Sequence, residues 1–189
     1  MKSQQPTKFV PLVKFKQTLK GNAMTAKPIN ILFLCTHNSA RSILAEALMN
    51  HLGNGRFKGF SAGSSPRDNQ QPNPLGLQTL QKAGICTAGL YSKSWDEFAL
   101  PDAPNMDLVI TVCDNAAGEV CPYWPGQPAT AHWSYADPSA GDGTEAEKLE
   151  AFRQTLHAIR RRLELLISLP DASVSRLMIQ TSARELAKS

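Results

Sequence analysis

The first apolar run of the chain, Ile29-Asn30-Ile31-Leu32-Phe33-Leu34-Cys35, is broken by a single polar residue. A half-buried strand would alternate, and a membrane span needs about 20 apolar residues, so this run predicts a strand buried on both faces. From there the pattern switches repeatedly between helical and extended period. A helix is predicted over Ser42–Leu52, with Ile43, Ala47 and Leu48 on one face. A strand follows over Phe57–Ala62, ended by Gly63. A second helix spans Pro74–Ala83 and stops at Gly84. Ser94–Phe98 reads as a short helical turn, and Asp107–Val112 and Pro128–Trp133 as two more strands. Glu145–Leu169 is the longest helix. Phe152, Leu156, Ile159, Leu163 and Leu166 form its apolar stripe, and Pro170 ends it. Residues 171–189 hold one more short amphipathic segment.

Strands alternating with helices predict an α/β fold, a single domain with a four-stranded parallel sheet and helices on both faces. The expected organisation is a flexible N-terminal extension over residues 1–28, the domain over 29–169 and a C-terminal tail over 170–189. In such sheets ligands sit beyond the carboxyl ends of the strands. Cys35 stands at that place after the first strand.

Charge narrows the function classes. The formal net charge is +4, but residues 1–23 hold Lys2, Lys8, Lys14, Lys16 and Lys20 and no acid. Residues 24–189 carry 15 basic and 16 acidic side chains. The body is near neutral, which argues against a nucleic-acid-binding face. The first 23 residues lack the apolar core of a signal peptide, and Met24 is a second candidate start. The four cysteines, at 35, 86, 113 and 121, are too few and too spread for a disulfide scaffold. The compartment is read as reducing cytosol, where retained cysteines are more often reactive than structural.

The segment Cys35-Thr36-His37-Asn38-Ser39-Ala40-Arg41-Ser42 links the first strand to the first helix. Five residues between Cys and Arg can wrap a loop whose N–H groups converge on one centre, with the positive end of the helix behind it. Arg41 can grip a tetrahedral oxyanion bidentately over that cup. The same field predicts a depressed thiol pKa at Cys35, with Ser42 donating to the sulfur.

The run from Ile31 to Leu52 resembles the opening of low-molecular-weight tyrosine phosphatases and of the arsenate reductases that share their fold. The resemblance covers about Asn30 to Leu169 and implies a phosphotyrosine-phosphatase I-like fold. Asp137-Pro138 matches the family's second signature, which implies that Asp137 protonates the leaving oxygen. Ser61-Ala62-Gly63 and Asn73-Pro74 match positions that support the loop. Asn38 is expected to fix it by hydrogen bonds.

Two patterns separate reductase from phosphatase. Asp137-Pro138 is followed by Ser139-Ala140-Gly141-Asp142-Gly143, without the aromatics that shape a phosphotyrosine slot. Val112-Cys113 through Cys121-Pro122 resembles the reductases' redox segment, which implies that Cys113 and Cys121 relay a disulfide from Cys35 to the surface. The resemblance therefore implies an arsenate reductase working as a monomer for arsenic detoxification. Thioredoxin or glutathione with glutaredoxin is its external reductant, and no cofactor is tightly bound. The alternative is a phosphotyrosine or small phosphoester hydrolase. A non-catalytic arsenical sensor would not need Asp137. The eight-position spacing of Cys113 and Cys121 is one longer than in well-known three-cysteine relatives. His37 and Ala40 also differ from the Gly and Cys those relatives often carry.

Weaker signals complete the reading. Zinc at Cys113 and Cys121 is disfavoured because His37, His51, His132 and His157 are scattered. Cys86 reads as a bystander thiol. Some relatives bind potassium near the positions of Asn38, Glu46 and Ser61. Arg160-Arg161-Arg162 reads as an exposed helix face.

Overall fold

The structure is a computed structural model that describes residues 27–113, 126–170 and 176–188. All but two residues of the expected N-terminal extension lie outside that range, as does Cys121. Four parallel strands form one sheet: β1 (Ile29–Cys35), β2 (Phe57–Gly63), β3 (Leu108–Thr111) and β4 (Ala129–His132). Their spatial order is β2-β1-β3-β4. The chain moves from β1 outward to β2 and then returns to the other side of β1. The topological switch therefore lies between the carboxyl ends of β1 and β3, where Cys35 and Cys113 emerge.

Period-2 alternation divides the core. Ile31, Phe33 and Cys35 of β1 join Leu108 and Ile110 of β3 in the larger cluster, whereas Leu32, Leu34 and Val109 point into the smaller one. The larger cluster is covered by α-helices: α1 (Arg41–Leu52), α2 (Pro74–Lys82), α3 (Glu145–Ile167) and α4 (Arg176–Leu186). On the smaller face Phe98 and Trp95, from the 3-10 helix Trp95–Phe98, pack with Met106. The expectation of helical cover on both faces holds. Among the described residues, the second face carries this one-turn helix in place of a full α-helix.

Local chemistry sets the helix ends. Asn73 caps α2 by accepting from Leu75 N–H, and Pro74 starts it. Thr144 and Glu147 close a reciprocal capping box on α3. Arg56 donates to the Ile167 and Leu169 carbonyls at the other end of α3. Helix α1 has no side-chain cap at Ala40, so its first N–H groups stay available to the loop before it.

The expected boundary at residue 169 is corrected by α4. Ala183 is fully buried, and its carbonyl accepts from the Trp133 indole at 2.8 Å. Arg184 donates to the Thr130 carbonyl on β4. The segment completes the core beyond the outer strand, because Trp133 needs both apolar cover and an acceptor for its N–H. Trp133→Phe should lower stability by about 1–3 kcal/mol, since the Ala183 carbonyl is left unpaired in the core. Equilibrium urea unfolding checks this; an unchanged midpoint would remove α4 from the cooperative unit.

Candidate active site

The loop after β1 is held by its carbonyls. Those of Cys35 and Thr36 accept from Ser64 N–H and Ser65 N–H. That of Asn38 accepts from Ser92 Oγ, that of Ser39 from Asn73 N–H, and that of Ala40 from Leu44 N–H. In a trans peptide the next residue's N–H points opposite to the carbonyl. Carbonyls pinned outward therefore turn the amides of Thr36, His37, Ser39, Ala40 and Arg41 toward the loop's interior. The result is an anion cup built from main chain.

Asn38 is the pivot of this loop. It is fully buried, and at φ 51° it occupies the left-handed region that asparagine tolerates better than most residues. Its backbone N–H donates to Cys35 Sγ at 3.2 Å. Its amide nitrogen donates to Ser42 Oγ and Ser61 Oγ, both at 2.8 Å, and its amide oxygen accepts from Lys93 N–H at 2.8 Å. Gly63 lies directly behind. A side chain there would meet the Thr36 carbonyl at 2.7 Å and Asn38 N at 3.0 Å. The close approach of β2 to the loop therefore depends on glycine.

Cys35 is 4 % exposed, with Ser42 Oγ 2.9 Å from its sulfur. The expectation of a depressed pKa is not met. Burial pushes the Cys35 thiol up, and the neighbouring Cys113 adds to this. The Ser42 and Asn38 hydrogen bonds oppose the rise without reversing it. The missing influence is Arg41, whose charge is engaged elsewhere. Its Nη2 lies 2.9 Å from Asp137 Oδ2, and its Nη1 donates to the Tyr135 carbonyl at 3.1 Å. Its Nε is buried without an acceptor.

Asp137 feels opposing influences. Burial raises its pKa, but Ser139, which donates through both O–H and N–H, together with Arg41 and His37 brings it below the ordinary value. Cys113 is also buried, and its sulfur lies 3.6 Å from Thr36 Oγ1. Cys35, Thr36, His37, Asn38, Arg41, Ser42, Cys113 and Asp137 thus converge at the carboxyl edge of β1 and β3. Ser39 sits where α2's cap meets the loop, and Ala40 is buried beneath α1. Cys121 lies outside the described residues. Cys86 is an exposed free thiol.

Several site residues carry no local sequence signal. Ser92 and Lys93 stand in a Ser-Lys-Ser run that reads as a solvated loop, yet both anchor Asn38. Lys93 is buried, with its Nζ 3.6 Å from Glu46 Oε2 and 3.0 Å from the Tyr91 carbonyl. This corrects the potassium expectation. Glu46 already receives a cation from within the chain, so the residues present do not fit an added monovalent ion. The basic run on α3 is corrected in part: Arg160 pairs with Glu164, but Arg162 stacks over the Tyr135 ring at 4.9 Å.

The family profile described as low molecular weight phosphotyrosine protein phosphatase matches residues 30–178. The chain belongs to this family. A relative from Bacillus licheniformis, named arsenate reductase, is 36 % identical over 136 residues, which cover 71 % of this chain and 91 % of that protein. A relative from Synechocystis, named glutaredoxin arsenate reductase, is 28 % identical over 138 residues, covering 73 % and 95 %. A solved structure described as an arsenate reductase in the phosphate binding state superposes with a TM-score of 0.59 at 28 % identity, covering 74 % of this chain and 97 % of that one.

Gly63→Ala should displace the loop, because the obstructing atoms are backbone that cannot rotate aside. About 1–3 kcal/mol of stability should be lost to overpacking. A shift near 1 Å should cost about 10²-fold in turnover. Thermal melting and steady-state kinetics check both; full activity would show that the loop does not need this contact.

Proposed function

We propose that this chain reduces arsenate to arsenite, with Cys35 as nucleophile and Cys113 as the second thiol. The observation that carries this reading is the buried Cys113 thiol beside the cup, its sulfur 3.6 Å from Thr36 Oγ1 in the loop. Hydrolysis of a phosphoester needs a cup, a nucleophile and an acid, but has no step for a second thiol. Arsenate shares the shape and charge of phosphate, and the relatives named arsenate reductase support the assignment. In the described residues no helix is long and apolar enough to cross a membrane. The free thiols fit a reducing, cytoplasmic setting.

The steps follow from the positions. The oxyanion enters the cup and supplies the acceptor that Arg41 Nε lacks. The Cys35 thiolate attacks arsenic, an As–O bond breaks, and Asp137 gives the departing oxygen its proton. Cys113 thiolate then attacks Cys35 Sγ. The S–As bond breaks, its electron pair goes to arsenic, and arsenite leaves. Cys121 attacks Cys113 Sγ, forming a Cys113–Cys121 disulfide and freeing Cys35. An external dithiol protein, thioredoxin or glutaredoxin, returns the two electrons. The Synechocystis relative's name supports the latter.

Arsenite production is measured with thioredoxin, its reductase and NADPH, and in parallel with glutathione and glutaredoxin. Cys35→Ser should abolish turnover, Cys113→Ser should stop arsenite release, and Cys121→Ser should permit a single turnover and then stall. Normal cycling of all three variants would sink the relay. Aryl phosphate hydrolysis with no arsenite in either mixture would make the protein a hydrolase. Asp137→Asn should slow adduct formation by about 10²–10⁴-fold, the usual worth of a general acid. Rapid-quench single-turnover kinetics check this, and an unchanged rate removes Asp137 from that role.

A further inference from the structure

Lys93 is a buried ammonium outside the oxyanion cup, and the steps above do not use it. Its side chain is 5 % exposed. It donates to the Tyr91 carbonyl, lies over the Tyr91 ring at 4.1 Å and faces Glu46. Glu46 Oε2 accepts from Ser61 Oγ at 2.5 Å. Ser61 Oγ in turn accepts from the Asn38 amide, whose other N–H goes to Ser42 Oγ. Ser42 Oγ is in contact with Cys35 Sγ.

The bonds from Asn38 outward to Ser42, Ser61 and Glu46 have a fixed direction. The amide oxygen of Asn38 accepts from Lys93 N–H, so the amide nitrogen must be the atom that faces Ser42 and Ser61. Ser61 accepts from that nitrogen and so has its own proton for Glu46. Ser42 accepts from it likewise, which leaves the Ser42 proton free for the sulfur. Asn38 therefore donates in both directions, through Ser42 toward the sulfur and through Ser61 toward Glu46, and the second branch requires that carboxylate to be an acceptor only. A protonated Glu46 would compete to donate into Ser61 and would turn the Ser61 proton back toward the Asn38 amide.

Burial raises Glu46 above the ordinary carboxylate value, and Lys93 and Ser61 hold that rise back. We infer that Lys93 is a positioning residue which, by keeping Glu46 a carboxylate, sets the hydrogen-bond direction that presents Asn38 N–H and Ser42 O–H to the Cys35 sulfur. The ammonium takes the place of an added cation in this network. Its effect on the reaction is to raise the thiolate share of Cys35 without touching substrate. Among the described residues, the other titratable groups near the two ends include Tyr91, Glu97 bonded to Tyr91 Oη, His51 and Cys86, which line one cavity with Glu46, and Cys113 beside Cys35. This rests on the reading of Cys35 as nucleophile.

The test is the rate of Cys35 alkylation by iodoacetamide against pH, resolved by peptide mass spectrometry. No arsenate is present, so a failure of the reductase reading does not affect it. Lys93→Met should move the profile upward by about one pH unit, about tenfold slower alkylation near neutrality. Lys93→Arg should restore most of the rate, because it returns the cation. Glu46→Gln keeps the lysine's bond to Tyr91 but offers Ser61 an amide donor, and it should move the profile the same way. If Lys93→Met melts earlier while the Cys35 profile stays fixed, Lys93 is only a packing residue and the inference fails. It also fails if Lys93→Arg is no better than Lys93→Met. Should Lys93→Met not fold, an unmoved profile in Glu46→Gln would overturn it alone.

Discussion

The side-chain amide of Asn38 uses both N–H donors on hydroxyls and its oxygen on a backbone N–H. A non-glycine residue in the left-handed region costs on the order of 1–3 kcal/mol unless its surroundings hold it there. Here they do, because three bonds to the amide come from α1, β2 and the segment before the 3-10 helix. The same φ turns the Asn38 N–H onto the Cys35 sulfur. The cup, the hydroxyl at the sulfur and the approach of β2 all depend on that one conformation. The pinned carbonyls around it explain why the amides face inward without any ligand to organise them.

The layers of the fold were legible in the chain, for physical reasons. Ile29–Cys35 is buried on both faces because its residues alternate between two cores, and that is what an unbroken apolar run signals. The stripe on α3 was readable residue by residue, because Phe152, Leu156, Ile159, Leu163 and Leu166 recur at helical period and all are buried. The loop was readable because strand, five residues and helix form a local unit. The C-terminal amphipathic segment was readable too, but its place in the core was not, since that depends on a bond from Trp133 to Ala183, 50 residues apart. Lys93 was not either. A lysine between serines is ordinarily solvated, and its burial follows only from the meeting of the 91–94 segment with Glu46 and Asn38.

The pKa of Cys35 was misread for a related reason. Sequence spacing shows that Arg41 can reach the cup, but not what Arg41 holds when the cup has no anion in it. It holds Asp137 and the Tyr135 carbonyl. A carboxylate partner offsets much of the cation's field at the thiol, so burial decides at the sulfur.

The two ionisations belong to one problem. Burial raises Cys35 above the ordinary thiol range, which already lies above neutrality, so near pH 7 the sulfur carries the proton. Asp137, held below the ordinary carboxylate value, does not. The chemistry needs the reverse, a thiolate and a carboxylic acid. The pair therefore holds the right number of protons in the wrong places, and one transfer makes the site competent. Arg41 touches both halves of the problem, because it bonds Asp137 through Nη2 while its Nε is buried without an acceptor in the same site. Ser139 and Arg41 together hold Asp137 as a carboxylate, and the proposed acid role asks the site to overcome both.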